Sequence, residues 1–165
     1  MLSQIDTLHT IAEVGIAITG FAGIVAAIRG REGVSSRLSV ADPLAGLLGA
    51  SLGTVFFSFV PEWLDAAIAS PDTVWRASLG IYGTYRLVYI GLILQARRGG
   101  AEMQFPRWTM LAGVSLGVLH LVAAAGFFSD FQYFLYLSGL FWGLVVSLLN
   151  FSRLLLGPSS ESRAV

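Results

Sequence analysis

Five stretches of mostly apolar residues dominate this chain, each close to the roughly 20 residues that a helix needs to cross a hydrocarbon core of about 30 Å. They cover about residues 8–28, 43–61, 71–96, 106–128 and 130–153, and only short polar links separate them. Inside a bilayer a backbone must satisfy its own hydrogen bonds, so runs of this length and spacing predict helices. The expected fold is an all-α integral membrane protein, a single membrane domain over residues 1–165 built as a five-helix transmembrane bundle. Composition agrees: 12% of the residues are charged, about half the soluble average, and mean hydropathy is +0.74.

Local stop and start signals frame the runs. The first ends at Arg29-Gly30, and the second opens at Asp42-Pro43, read as an N-cap followed by proline at the first helical position. Ser70-Pro71-Asp72 opens the third, which runs to Arg97-Arg98-Gly99-Gly100. Pro106 opens the fourth, and Ser129-Asp130-Phe131-Gln132 reads as a capping box for the fifth, closed by Gly157-Pro158. Glu62 to Ala69 lies between two prolines, as a short external helix or an oblique extension of the second span. Met1 to Leu8 has no basic residue, so the first run is expected to be retained as a span and not removed as a signal peptide.

Charge sets the direction. Every basic residue is Arg, and Arg29, Arg31 and Arg37, then Arg97, Arg98 and Arg107, then Arg153 and Arg163 fall on one side of an alternating five-span path. Asp6, Glu62, Asp65, Asp72 and Asp130 fall on the other, with Arg76 the one basic residue near them. Cytoplasmic loops retain positive charge, which places the N-terminus outside and the C-terminus in the cytoplasm of a bacterial inner membrane. Trp63, Trp75, Phe131 and Tyr133 at the outer edge and Trp108 at the inner edge suit interfacial belts.

Lipid is as apolar as leucine, so spans associate through small residues and polar contacts. Gly15, Thr19, Gly23 and Ala27 form such a seam on the first span, and Gly46, Ala50, Thr54 and Ser58 on the second. Gly80 and Thr84, Gly113 and Gly117, and Gly139, Gly143 and Ser147 mark the other three. Any seam left over is available for a homo-oligomer or another membrane protein. Membrane lipid is the expected environment, and no nucleic-acid partner is expected.

Ionisable residues within spans carry the sharpest functional signal, because one near the bilayer centre costs roughly 2.5–3.5 kcal/mol on insertion scales. Glu13 lies roughly 7 Å below the outer edge of its span at 1.5 Å per residue, Arg86 near the middle, and His120 roughly 12 Å deep. The expectation is a buried Glu13–Arg86 ion pair, with His120 and Tyr82 or Tyr89 completing its hydrogen bonds. Two readings stay open. The five residues form a ligand or proton site in the outer half of a transport or channel-like protein, or the pair only fixes helix register in an accessory or assembly subunit of a larger complex. Asn150 is expected to make an interhelical hydrogen bond, and His9 to sit at the interface.

Several chemistries are excluded. Without lysine there is no Schiff base, and without cysteine no disulfide, thiol redox centre or thiolate cluster. No HExxH, GxSxG, phosphate-binding loop or paired-carboxylate signature is present, so no enzyme is expected. Haem binding by His9 and His120, both towards the outside, is a third reading that rests only on two histidines at unrelated spacing and that a missing Soret band would end; otherwise neither a cofactor nor a metal site is expected. Length and span number resemble the tryptophan-rich sensory protein/translocator family, but Gly30 to Ala41 carries Arg, Ser and Gly where that family has a Trp- and Pro-rich loop.

Overall fold

The computed structural model describes residues 2–31, 37–68, 70–98 and 107–156. The expected stops at Gly99-Gly100 and Gly157-Pro158 and the start at Pro106 lie outside them. The described residues form five α-helices: α1 (Leu2–Arg31), α2 (Arg37–Asp65), α3 (Pro71–Arg98), α4 (Arg107–Ala124) and α5 (Gln132–Leu156). A single 3-10 turn, Ser129–Phe131, precedes α5. Four helices contain segments long and apolar enough to cross a membrane, Gln4–Ile28, Leu44–Asp65, Pro71–Gln95 and Ser129–Leu155. The apolar part of α4, Trp108–Ala124, is shorter. Side chains such as Phe21, Leu111 and Phe134 are each more than 60% exposed, an aggregation hazard in water and an ordinary surface in lipid. The helices therefore fit a multi-pass membrane protein.

Three boundaries differ from the sequence reading. Asp42-Pro43 does not start α2, which begins at Arg37 and runs through the proline. Proline lacks one N–H and so removes one early helical bond, which a long apolar helix tolerates. At the other end α2 continues through buried Pro61 to Asp65, so the oblique extension is the one realised. Ser129 is not a cap either: Phe128 occupies the N-cap position in the left-handed region, φ 64° and ψ 42°, with no side-chain cap hydrogen bond. The fourth apolar run stops being α-helical at Ala124, where Gly126, at φ 102°, and the short Gly126 N–H to Ala123 C=O bond of 3.0 Å tighten the last turn.

The chain divides into two compact units, residues 1–58 with 143–165, and residues 59–142. In the first, α1 packs on α2 where Gly15 lets the backbones approach. A Cβ there would lie 2.8 Å from the Val55 side chain and 3.4 Å from the Ser51 carbonyl. Beside it Thr19 donates to Ser51 Oγ at 2.7 Å, and Ser51 donates to the Leu47 carbonyl at 2.8 Å. Ala22, Leu47 and Leu154 form a buried core, and Gly143 of α5 leaves room for the Thr54 hydroxyl. Asn150 is buried and donates to Val146 C=O of its own helix at 2.9 Å.

In the second unit α3 and α4 run antiparallel along a seam of small residues. Gly80 faces Ala124, Gly83 faces the Gly117 carbonyl and His120, Leu87 lies on Gly117, and Ile90 on Gly113. Gly83, not the expected Thr84, shares the seam with Gly80, since Thr84 is exposed. Trp75 is 7% exposed and packs edge-on against Tyr133 and Tyr136 of α5, at centroid distances of 5.3 and 5.9 Å.

Candidate functional site

Helical side chains lean back towards the preceding turn, so Arg86 lies over Tyr82, one turn earlier on α3. Its Cζ is 4.9 Å from the Tyr82 ring centroid, within cation–π range. Arg86 Nη2 donates to the Tyr82 hydroxyl at 2.9 Å and to the Gly139 carbonyl of α5 at 2.7 Å, while the Tyr82 hydroxyl donates to the same carbonyl at 3.0 Å. The three bonds are mutually consistent: Nη2 has two hydrogens, the phenol accepts one and donates its own, and the carbonyl oxygen only accepts.

His120, fully buried on α4, completes the cluster. Its ring stacks on Tyr82 at 5.4 Å with the planes 26° apart. Its Nε2 lies 2.9 Å from the Leu135 carbonyl, which can only accept, so Nε2 carries the hydrogen. Tyr136 packs against the Tyr82 ring at 5.5 Å, which continues the aromatic contacts to Trp75. Gly139 makes the assembly possible, because a Cβ there would run into His120 Cε1 and the Tyr82 ring. Two polar atoms in this buried cluster have no hydrogen-bond partner, Arg86 Nη1 and His120 Nδ1.

Of the five residues expected at the site, the structure brings together Tyr82, Arg86 and His120. Tyr89 leans back on Tyr85 instead, its ring stacked at 6.0 Å, by the same side-chain direction that lays Arg86 on Tyr82. Glu13 belongs to the other unit, where α1 leaves it exposed. The charge of Arg86 is met inside its own unit by a phenol, a π face and a backbone carbonyl. His9 is half-buried on α1.

A second polar group ties the helix ends nearby. Arg76 Nε donates to the Ala124 carbonyl at 3.1 Å, and its guanidinium lies against Gly126, where a Cβ would come within 2.9 Å of Nη2. Asp72 accepts from Gln132 Nε2 at 3.0 Å and lies 3.7 Å from Arg76. Arg76, Asp72, Gln132, Gly139 and Tyr136 were not singled out as partners from the sequence. Only the one-turn spacing of Asp72 and Arg76 on a helix hinted at any of them. Among the described residues, no three His, Asp or Glu side chains gather as a metal site.

Comparison with known proteins gives no match: no protein-family model, no curated protein and no solved structure is similar to this chain.

Proposed function

We propose that this chain is a small multi-pass protein of a bacterial inner membrane with a transport or channel-like role, its solute meeting the Tyr82–Arg86–His120 cluster. The observation that carries this reading is the state of Arg86. The residue is 8% exposed, it keeps an unused donor at Nη1, and its bonded partners are all neutral. A residue needed only to lock helix register would have both ends of the guanidinium satisfied, since an unmade buried hydrogen bond costs about 1–3 kcal/mol, more for charged groups. In this reading all five helices cross the bilayer, with the N-terminus outside and the C-terminus cytoplasmic, as the eight Arg residues on one side of the alternating path favour. The test is solute flux in proteoliposomes. Flux should fall sharply on Arg86→Gln. Flux that is unchanged when Glu13 and Arg86 are replaced together removes the basis of the reading.

The alternative, an accessory or assembly subunit of a larger membrane complex, draws on α1. Gly20 and Gly23 have no atom within 4 Å of where a Cβ would stand, and Glu13 and Ala17 are exposed on the same helix. Small residues left open on a membrane helix suit close approach by another helix. Co-purification of a larger complex from native membranes supports this alternative. A monodisperse chain with no partner counts against it.

A further inference from the structure

We infer that the turn joining α4 to α5 is embedded in lipid, with Phe127, Phe128 and Phe131 against the acyl chains of one leaflet, an inference that rests on the multi-pass reading and adds what covers this connection. Length comes first. The apolar part of α4, Trp108–Ala124, reaches about 25 Å at 1.5 Å per residue, several ångströms short of a hydrocarbon core of roughly 30 Å. With Trp108 at one interface, the last carbonyls of α4 fall inside the hydrocarbon, where backbone groups need partners within the protein. Those of Leu121, Ala123 and Ala124 have them: Ala125 N–H donates to the first at 3.0 Å, Gly126 N–H to the second at 3.0 Å and Arg76 Nε to the third at 3.1 Å. Beyond the helix, Phe131 N–H donates to the Phe128 carbonyl at 2.9 Å. The turn then crosses the depth that α4 leaves.

Its side chains suit that depth. Phe127, Phe128 and Phe131 are 64%, 54% and 61% exposed, where a turn in water favours Gly, Asn, Asp or Ser. Phe128 also holds a left-handed backbone, φ 64° and ψ 42°, which glycine adopts at less cost than a bulky residue. A half-exposed ring has little packing within the chain to offset that strain, so its contacts lie outside. Lipid is the occupant that the surroundings favour. Leu111, Val118 and Val122 form an exposed apolar stripe on α4 that leads to the turn, and exposed Phe134 continues it on α5. Between Ala125 and Phe131 the one charged residue is Asp130, whereas the α2–α3 connection, on the same side of the alternating path, is flanked by Glu62, Asp65 and Asp72. Ser129 and Asp130 are exposed and are the groups left for the headgroups.

The chain has no cysteine, so a single introduced one carries a nitroxide label without background. Val118→Cys, Phe127→Cys, Phe128→Cys and Ala67→Cys, the last an exposed position of the α2–α3 connection, are labelled in the full chain and placed in phosphatidylcholine vesicles. Power saturation then measures collisions with oxygen, which concentrates in hydrocarbon, and with a polar nickel chelate, which stays in water. The oxygen-to-chelate ratio at Phe127 and Phe128 should match that at Val118 and exceed that at Ala67 on the order of tenfold, because hydrocarbon excludes polar solutes. Chelate access at Phe127 and Phe128 equal to that at Ala67 overturns the proposal. Exclusion of both reagents overturns it too, since protein, such as a second copy of the chain, would then cover the turn. If Phe128→Cys does not fold, Phe127→Cys decides alone. Val118 keeps the two readings apart: an aqueous Val118 removes the crossing of α4 together with the embedded turn, and a lipid-exposed Val118 beside an aqueous Phe127 removes the embedded turn alone.

Discussion

A guanidinium inside an apolar helix bundle must be solvated by the protein itself, and Arg86 is solvated by groups that carry no charge. Tyr82 is central to that, because it offers the cation both an oxygen and a ring face. Tyr82→Phe keeps the ring and removes the oxygen, so Nη2 loses one of its two acceptors. Thermal or denaturant unfolding in detergent should show a loss of about 1.5–3 kcal/mol, the range for hydrogen bonds to charged groups, and an unchanged stability would mean that the bond contributes nothing. Gly139 acts by what it leaves out. Gly139→Ala drives a methyl group into the His120 and Tyr82 rings, and overpacking of this kind costs about 1–3 kcal/mol. The same unfolding measurement checks it, with Gly20→Ala as the comparison, since a Cβ at Gly20 meets nothing within 4 Å.

Helices in this chain are positioned by two devices, glycine seams and end clamps, and they differ in how plainly the sequence displays them. The apolar runs could be read directly, because the need for about 20 apolar residues is local to each run. Seams could be read only as sets of small residues. Spacing placed Gly80 and Thr84 together, yet Gly83 is the residue that meets the Gly117 carbonyl, and which face a helix turns inwards depends on neighbours that its own sequence does not name. Glu13 shows the same limit: its depth along the span follows from counting, while its exposed azimuth does not. The cluster was legible in Tyr82, Arg86 and His120, since their chemistry is costly in a span. Its acceptors were not, because Gly139 and Leu135 contribute backbone carbonyls that every residue has. The Arg76 clamp is testable at this scale. Arg76→Gln removes the Nε donor to Ala124 at the end of α4 and the contact with Asp72. With 42% of the side chain exposed, solvent screens the ion pair, and a loss of about 1 kcal/mol is expected, mostly from the capping bond. Faster amide hydrogen exchange confined to the last turn of α4 would report the same change, and uniform exchange rates would count against the clamp.

Taken whole, the chain exposes apolar surface almost everywhere along its helices, so a partner helix has to compete with lipid and not with water. That makes close backbone approach the deciding quantity, and the glycines on α1 fall into two kinds. Gly15 is already occupied by Val55 and Ser51 of α2, whereas Gly20 and Gly23 are open. Leucine at an open position has nothing to strike within the chain. It also gains helix propensity, about 0.8–1.0 kcal/mol between glycine and the best helix formers. Gly23→Leu should therefore leave the purified single chain as stable as the parent or slightly more so. In native membranes the same substitution separates the two functional readings. If the chain works alone as a transporter, flux and protein level should match the parent. If α1 docks on another helix through Gly20 and Gly23, the leucine side chain should break that approach, and the larger assembly should disappear from native gels while the isolated chain keeps its unfolding midpoint.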